Sequence, residues 1–147
     1  MLVSSLERDP LLKERLRRLR TVPGVGPITA LTWALEIGDV TRFTSIKQAI
    51  SYCGLCGDEK SSADKVMRMP ISKQRNKHIQ RVLIEAAKLG PRLCYELAEV
   101  RAKELEKGDR NRATLAVARK MVCYLLAVDR RKQDFVPAEK FSRTAAA

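Results

Sequence analysis

The sequence has few aromatic residues and lacks any long apolar run. Aromatic residues make up only 5% of its 147 residues, although 45% are hydrophobic. We therefore expect a core built from the aliphatic side chains of helices. There is no stretch of 18 consecutive apolar residues and no signal-peptide pattern, which argues against a membrane-spanning helix and against secretion. These features predict a cytoplasmic protein whose thiols are reduced.

Residues suited to metal binding are also scarce. His78 is the only histidine, and Cys53 and Cys56 have zinc-ligand spacing without a second close pair to complete a site. Cys94 and Cys123 each occur alone in an apolar helical pattern, where cysteine usually packs as a small hydrophobic residue. The sequence contains no phosphate-binding loop, dinucleotide fingerprint or HExxH motif. We therefore expect this chain to bind no metal or cofactor by itself.

Lysine and arginine greatly outnumber the acidic residues. There are 29 of them against 17 Asp and Glu, a net charge of +12, which favours nucleic acid over an anionic membrane surface as the partner. The densest basic run has six cations and no acid, and comprises Lys65, Arg68, Lys73, Arg75, Lys77 and Arg81. This run predicts a groove for nucleic-acid backbone, with a solvated surface as the usual alternative.

The stretch from Thr21 to Pro27 predicts a tight turn between two helices. Gly24 and Gly26 can adopt positive φ and expose the backbone, so the N–H groups of Val25 and Gly26 can point at one phosphate oxygen. The pattern resembles the helix-hairpin-helix module, a sequence-independent binder of nucleic-acid backbone. An ordinary turn between packed helices is the alternative.

A cluster of arginines at the end of the helix before this turn would line the same phosphate site. The cluster contains Arg15, Arg17, Arg18 and Arg20, of which we expect Arg18 and Arg20 to contact nucleic acid. A solvated helix face is an equally good explanation of their spacing.

Apolar residues recur at helical spacing along most of the chain. We expect an all-α bundle that forms one domain over 1–147, with a loosely ordered tail from 130 to 147. Trp33 is expected in the core or an interface, and Val66–Met69 alternates as a short strand would. The first predicted helix starts at Pro10, the second spans about Pro27 to Ile37, and the third follows the cap Ser45 and reaches Tyr52. The fourth is capped by Ser72 and ends near Leu89, where Gly90-Pro91 stops it. The fifth ends near Lys107, and the last spans about Arg112 to Val128.

Ser61 and Ser62 lie in an irregular, polar stretch bordered by lysines. An exposed serine beside cations could attack a phosphodiester, but a serine hydroxyl needs activation and no base is evident. Most serines in turns are only turn formers. Three acids flank the pair (Asp58, Glu59 and Asp64), but they do not form the complete carboxylate set that two-metal phosphoryl transfer needs.

The order of motifs along the chain resembles a known family. The motifs are Leu19–Ala30, Ile37–Phe43, Ala49–Leu55, Ser61-Ser62, Ile71–Lys77, Arg81–Ala87 and Ala116–Lys120. Together they are similar to the C-terminal domain of insertion-sequence transposases related to Piv-type DNA invertases, which are serine recombinases guided by a bridge RNA. The resemblance covers about residues 15 to 126.

The resemblance implies a DNA-recombining function that needs a second domain. Members carry a RuvC-like N-terminal domain whose acidic residues bind Mg²⁺, and a C-terminal serine forms a covalent phosphoserine link to DNA. Ser62 matches that serine best, and Ser61 is second. The two halves come from different subunits, so the partners implied are DNA, a guide RNA, a RuvC-like domain and further copies of the chain, in a nucleoid-associated prokaryotic protein.

This sequence departs from the family pattern in three places. Ala63 and Arg75 stand where the family usually has glycine, and the RuvC-like half is missing from the sequence. We therefore expect an excised domain or a truncated transposase that binds nucleic acid but does not recombine by itself. The alternatives are a non-enzymatic helix-hairpin-helix module that binds nucleic acid or mediates assembly, and an oligomerisation domain in which the hairpin is only structural.

Overall fold

The computed structural model describes residues 9–55 and 70–136, with side chains of the second range given from Lys77 onward. Every regular element in these two ranges is helical, which confirms the all-α class for the part of the chain they cover. None of these helices is long and apolar enough to cross a bilayer. The elements are α1 (Pro10–Leu19), α2 (Pro27–Ile37), a 3₁₀ turn (Val40–Arg42), α3 (Ile46–Tyr52), α4 (Pro70–Leu93), α5 (Tyr95–Leu105) and α6 (Arg110–Arg131).

The first three helices begin where the sequence predicts because the residues that set their ends are close in sequence. The Asp9 carboxylate accepts the N–H of Leu11 at 3.0 Å and fixes the start of α1. The Ser45 hydroxyl likewise accepts the N–H of Gln48 at 3.2 Å ahead of α3. The helix α2 has its predicted bounds and stops at Gly38, whose φ is +67°.

The helix α6 forms the centre of the molecule. It packs against α1, α3, α4 and α5, while α2 lies against α1 and α4. Met121 and Leu125 of α6 are completely buried, and so is Trp33 of α2. The expected core position of the single tryptophan is therefore observed.

The prediction that Gly90-Pro91 ends the fourth helix is wrong. The helix α4 continues through both residues to Leu93 and begins at Pro70 rather than Ser72. Gly90 is buried, and a Cβ on it would lie 2.8 Å from Cδ1 of Leu97 in α5. The glycine at this position therefore allows close packing between helices instead of terminating one.

The last two helices differ from the prediction by a few residues at their ends. The helix α5 ends at Leu105 rather than near Lys107, and α6 spans Arg110 to Arg131 rather than about Arg112 to Val128. The Asp109 carboxylate, which accepts the N–H of Asn111 at 2.9 Å, sets the earlier start of α6.

A buried carboxylate joins three helices on one side of the core. Asp129 of α6 accepts Nε and Nη2 of Arg15 at 2.9 and 2.8 Å, and Nε1 of Trp33 at 3.0 Å. Nη2 of Arg15 also donates to the carbonyl oxygen of Gly38 at 2.6 Å. Because Asp129 is only 6% exposed, these bonds replace its lost hydration and tie α1 and α2 to α6.

The chain beyond α6 folds back toward α1. Lys132 adopts a left-handed conformation with φ +53°. The Phe135 N–H donates to the Thr21 hydroxyl at 2.8 Å, and the Phe135 ring lies 4.7 Å from the ring of Tyr124, measured between centroids. Residues 137–147 of the predicted tail lie outside the part that is described.

Candidate nucleic-acid interface

A glycine allows the turn between α1 and α2 to pack directly against α4. Gly24 has φ +89°, and a Cβ on it would lie 2.9 Å from the carbonyl oxygen of Ala86 and 3.0 Å from Cα of Gly90. Both of these atoms belong to the backbone of α4, so no side chain fits between the turn and the helix. Packing alone is therefore sufficient to explain the glycine at position 24.

The next two residues of the turn differ in what they offer a ligand. Val25 is buried, and its N–H donates to the carbonyl oxygen of Val22 at 3.1 Å within the turn. Gly26 is the N-cap of α2 at φ −98°, no side chain caps this helix start, and a Cβ on Gly26 would meet nothing within 4 Å. Gly26 is thus the residue of this turn with open space beside a helix N-terminus.

The arginines of α1 divide into an inner and an outer pair. Arg15 is engaged by Asp129, and Arg18 keeps only 15% of its side chain exposed, 3.5 Å from Glu14. Arg17 and Arg20 are exposed. The structure therefore does not bring all four arginines to one face, and of the two that the sequence assigned to nucleic acid, Arg20 is the exposed one.

The helix α4 carries an exposed row of cations, which we call the α4 stripe. Its members are Lys77, Arg81, Lys88 and Arg92. At 100° per residue they fall within an arc of about 60°, and they extend about 22 Å along the helix. One acid lies on the same face, Glu85, whose carboxylate is 3.1 Å from Nζ of Lys88. The stripe adds Lys88 and Arg92 to the predicted basic run. A helical-wheel projection of the sequence places these two residues on the same face as Lys77 and Arg81.

The α4 stripe and the Gly24 turn lie on different sides of α4. Ala86 and Gly90, which contact the turn, are rotated by roughly 150° or more from the middle of the stripe. The structure thus connects the two predicted elements through one helix without merging them into a single surface. Lys73 and Arg75 lie in the first turns of α4, but their side chains are outside the described set.

Two side chains hold the backbone just ahead of the predicted nucleophile. Gln80 Nε2 donates to the carbonyl oxygen of Gly54 at 2.8 Å, and Arg119 Nη1 donates to that of Leu55 at 3.0 Å. Neither bond could be predicted from the sequence. The predicted strand and the site residues Ser61, Ser62, Lys65 and Arg68 lie in 56–69, outside the described residues.

The cysteines that can be placed are not arranged for metal chemistry. Burial raises the pKa of the Cys53 thiol to about 12, so this sulfur is protonated at neutral pH. Cys94 is buried as well. No group of three or more His, Cys, Asp or Glu residues within 9–55 and 70–136 could hold an ion.

Comparison with known proteins identifies the family through the same part of the chain. The sequence profile described as Transposase IS116/IS110/IS902 family matches residues 16–99, which is more than half of the 147 residues. This range contains the C-terminal end of α1, the Gly24 turn, α2, α3, α4 and the first part of α5. No solved structure matches the chain.

Three curated relatives are similar to the chain. A putative transposase y4qE of Sinorhizobium fredii is 37% identical over 56% of this chain and 23% of its own length. The transposase for insertion sequence element IS1328 of Yersinia enterocolitica is 33% identical over 74% of this chain and 34% of its own length. The transposase for insertion sequence element IS1111A of Coxiella burnetii is 29% identical over 83% of this chain and 35% of its own length.

The similarity covers only part of each relative. The chain spans about a third or less of the length of these relatives. The profile covers the Gly24 turn, α2 and the α4 stripe, so the likeness extends to the elements on which the candidate interface is built. The chain belongs to the Transposase IS116/IS110/IS902 family of insertion-sequence transposases.

Proposed function

We propose that this chain is the DNA-binding, C-terminal part of an insertion-sequence transposase. The observation that carries the proposal is the α4 stripe, four exposed cations in one row on a helix inside the family match. Its length of about 22 Å equals roughly six base-pair steps of 3.4 Å. The net charge of +12 supports the same partner. Cations in such a row bind backbone phosphates and release counterions, which gives salt-dependent binding that tolerates many sequences.

The turn at Gly24 is the second element of the proposed interface. We infer that α1, the turn and α2 act as a helix-hairpin-helix, in which the open N-terminus of α2 contacts one phosphate. The support is the absence of a side-chain cap and the space at Gly26. The proposal assigns the contact to the helix start at Gly26, because the Val25 N–H is already bonded inside the turn.

The DNA-binding proposal is tested by removing the α4 stripe. Gln at positions 77, 81, 88 and 92 is expected to lower the slope of log K against log salt by about 3 to 4, because each lost phosphate contact removes about 0.9. Fluorescence anisotropy with a labelled DNA duplex of mixed sequence measures the slope. The matched control places Gln at Arg101, Lys103, Lys107 and Arg110, four exposed cations of α5, the turn after it and the start of α6.

The control separates a defined interface from general attraction. It removes the same total charge from elements that do not include α4. Equal loss of slope in both variants would mean that DNA responds only to net charge. Undetectable binding of the unaltered chain at low salt would overturn the proposal and favour an oligomerisation domain.

We further propose that Ser62 is the nucleophile of strand exchange. Its Oγ would attack a DNA phosphorus, form a phosphoserine ester and release a deoxyribose hydroxyl, while the serine proton passes to a base. The support is the family membership together with the match of Ser62 to the family's serine. Gln80 and Arg119 hold the backbone at Gly54 and Leu55, shortly before this serine in the chain.

Other components of the reaction are proposed to come from outside this chain. We infer that a RuvC-like domain supplies the carboxylates for Mg²⁺, which is what the resemblance to the Piv-related transposases implies. That ion would stabilise the charge that develops on the transferred phosphate. A guide RNA and association of several copies complete the proposed assembly.

The nucleophile is tested in a transposase that joins this chain to a RuvC-like domain. Ser62→Ala is expected to abolish strand exchange and the covalent protein–DNA adduct on a denaturing gel, while DNA affinity changes less than twofold, because the hydroxyl takes part only in chemistry. Ser61→Ala is the matched control and should retain both activities. Undiminished recombination by the Ser62 variant would refute the assignment, and loss in the Ser61 variant alone would transfer it to Ser61.

A further inference from the structure

The outer face of α1 carries cations that neither the α4 stripe nor the Gly24 turn includes. Lys13, Arg17 and Arg20 are exposed and fall within an arc of about 60° at 100° per residue. The opposite face of the helix is buried through Leu16 and Leu19. We call the three cations the α1 stripe.

An open groove of about 670 Å³ runs along the α1 stripe. The three cations line it together with Pro10, Glu14 and Thr21. Lys13 and Arg20 are about 10 Å apart along the helix axis, which corresponds to roughly three nucleotides of one DNA strand. The groove therefore has the charge and the length for a short piece of backbone.

An acidic residue from the far end of the chain contacts the central arginine of this stripe. Asp134 places its two carboxylate oxygens 2.9 and 3.3 Å from Nη2 and Nη1 of Arg17. Glu14 binds the same guanidinium at 2.7 Å, and these hydrogen bonds from Arg17 hold the pKa of the Glu14 carboxyl below its usual range. Arg17 is thus already arranged in the two-pronged geometry with which arginine binds phosphate.

The ion pair is not the only contact that holds the segment carrying Asp134. The backbone of the next residue, Phe135, bonds to the Thr21 hydroxyl, and its ring packs on Tyr124. The ion pair itself is about half exposed on both sides, so salt and competing anions reach it. The geometry therefore allows a phosphate to replace the Asp134 carboxylate without displacing the whole segment.

We propose that the α1 stripe is a second DNA-backbone site, and that Asp134 occupies its central arginine as a built-in competitor of the phosphate. This inference rests on the proposed DNA-binding function and adds a site and an internal control of affinity to it. Glu14 stays bound to Arg17 within the same helix, whereas Asp134 withdraws when DNA enters. The site is selective for a phosphodiester chain because three cations in a row match successive phosphates better than a single small anion.

Asp134→Asn tests the competitor. The substitution is expected to tighten binding of a labelled mixed-sequence DNA duplex by about three- to tenfold at low salt and to steepen the salt slope by about 1, because Arg17 becomes available to a phosphate. The matched control is Glu106→Gln, which removes an exposed acid at the end of α5, a helix that packs on α4 and α6.

A double variant then assigns the effect to the α1 stripe. In an Arg17→Gln background, Asp134→Asn is expected to change DNA affinity by less than twofold. Gln at Lys13, Arg17 and Arg20 together should lower the salt slope by about 2 to 3. Circular dichroism and Trp33 fluorescence report that each variant is folded.

The outcomes distinguish this inference from the function on which it rests. If the unaltered chain binds DNA through the α4 stripe while Asp134→Asn behaves like Glu106→Gln, the second site is refuted and the DNA-binding function stands. A gain in affinity that persists without Arg17 also refutes it. Failure of the unaltered chain to bind DNA overturns both.

Discussion

Alanine at position 24 is expected to lower the free energy of unfolding by about 2 to 5 kcal/mol. The residue has φ +89°, which costs a residue with a side chain about 1 to 2 kcal/mol. Its new Cβ would also press on the α4 backbone at Ala86 and Gly90, at 2.9 and 3.0 Å, and overpacking of this kind costs about 1 to 3 kcal/mol more. The backbone of a helix cannot move aside as the end of a flexible side chain can.

Urea denaturation followed by Trp33 fluorescence measures this loss. Gly26→Ala, two residues along the same turn, is the matched control and should change the free energy of unfolding by no more than about 1 kcal/mol, because its Cβ meets open space. Equal stability of the two variants would mean that the turn does not rest on α4 as described. The pair also shows that position 26, rather than 24, is where loss of DNA binding can be separated from loss of folding.

Asp129→Ala is expected to be the second strongly destabilising change, at about 2 to 4 kcal/mol. The variant leaves the Trp33 N–H buried without its acceptor and removes both bonds that Arg15 makes to the carboxylate. Breaking a fully buried ion pair costs about 3 to 5 kcal/mol. The expected loss is smaller because the Arg15 side chain remains 22% exposed and is partly stabilised by water.

The matched control for this change is Asp134→Ala. Like the first change, it removes a carboxylate that binds an arginine of α1, but here both partners are about half exposed. Exposed pairs contribute about 0 to 1 kcal/mol, so thermal and urea unfolding should be nearly unchanged. If the two aspartate variants lost the same stability, the bonds of Asp129 to Arg15 and Trp33 would not be what holds α1 and α2 to α6.

The helix starts could be predicted from the sequence because the interactions that fix them are short-range. Asp9 and Ser45 cap residues two or three positions away, and Gly38 ends α2 through its own φ. The all-α class follows from apolar spacing that is equally local. These features require no knowledge of what the rest of the chain does.

Features that depend on distant contacts could not be predicted in this way. Gly90-Pro91 has the composition of a helix end, yet α4 continues through it, and Leu97 and Met121 occupy the space that a side chain at position 90 would need. Arg15 was grouped with three phosphate-binding candidates, and Asp129, 114 residues away, binds it instead. The sequence lists the residues but does not reveal which residue, distant along the chain, contacts each of them in the folded protein.

The candidate site shows the same division. Arg81 and Lys77 were identified from the basic run, and their exposure on α4 agrees with the proposed role. Lys88 and Arg92 were missed because the run was counted along the chain rather than around the helix. Arg17 and Arg20 of the α1 stripe belong to the predicted arginine cluster, whereas the contact of Arg17 with Asp134, far away in sequence, could not be predicted.

The seat of Gly24 on α4 has a consequence for the order of events during synthesis. The turn leaves the ribosome roughly 60 residues before Ala86 and Gly90, an interval of about 3 to 12 seconds at ordinary rates of translation. Throughout that interval the turn has no α4 backbone to pack against. The close approach at Gly24 can therefore form only after α4 has been synthesised.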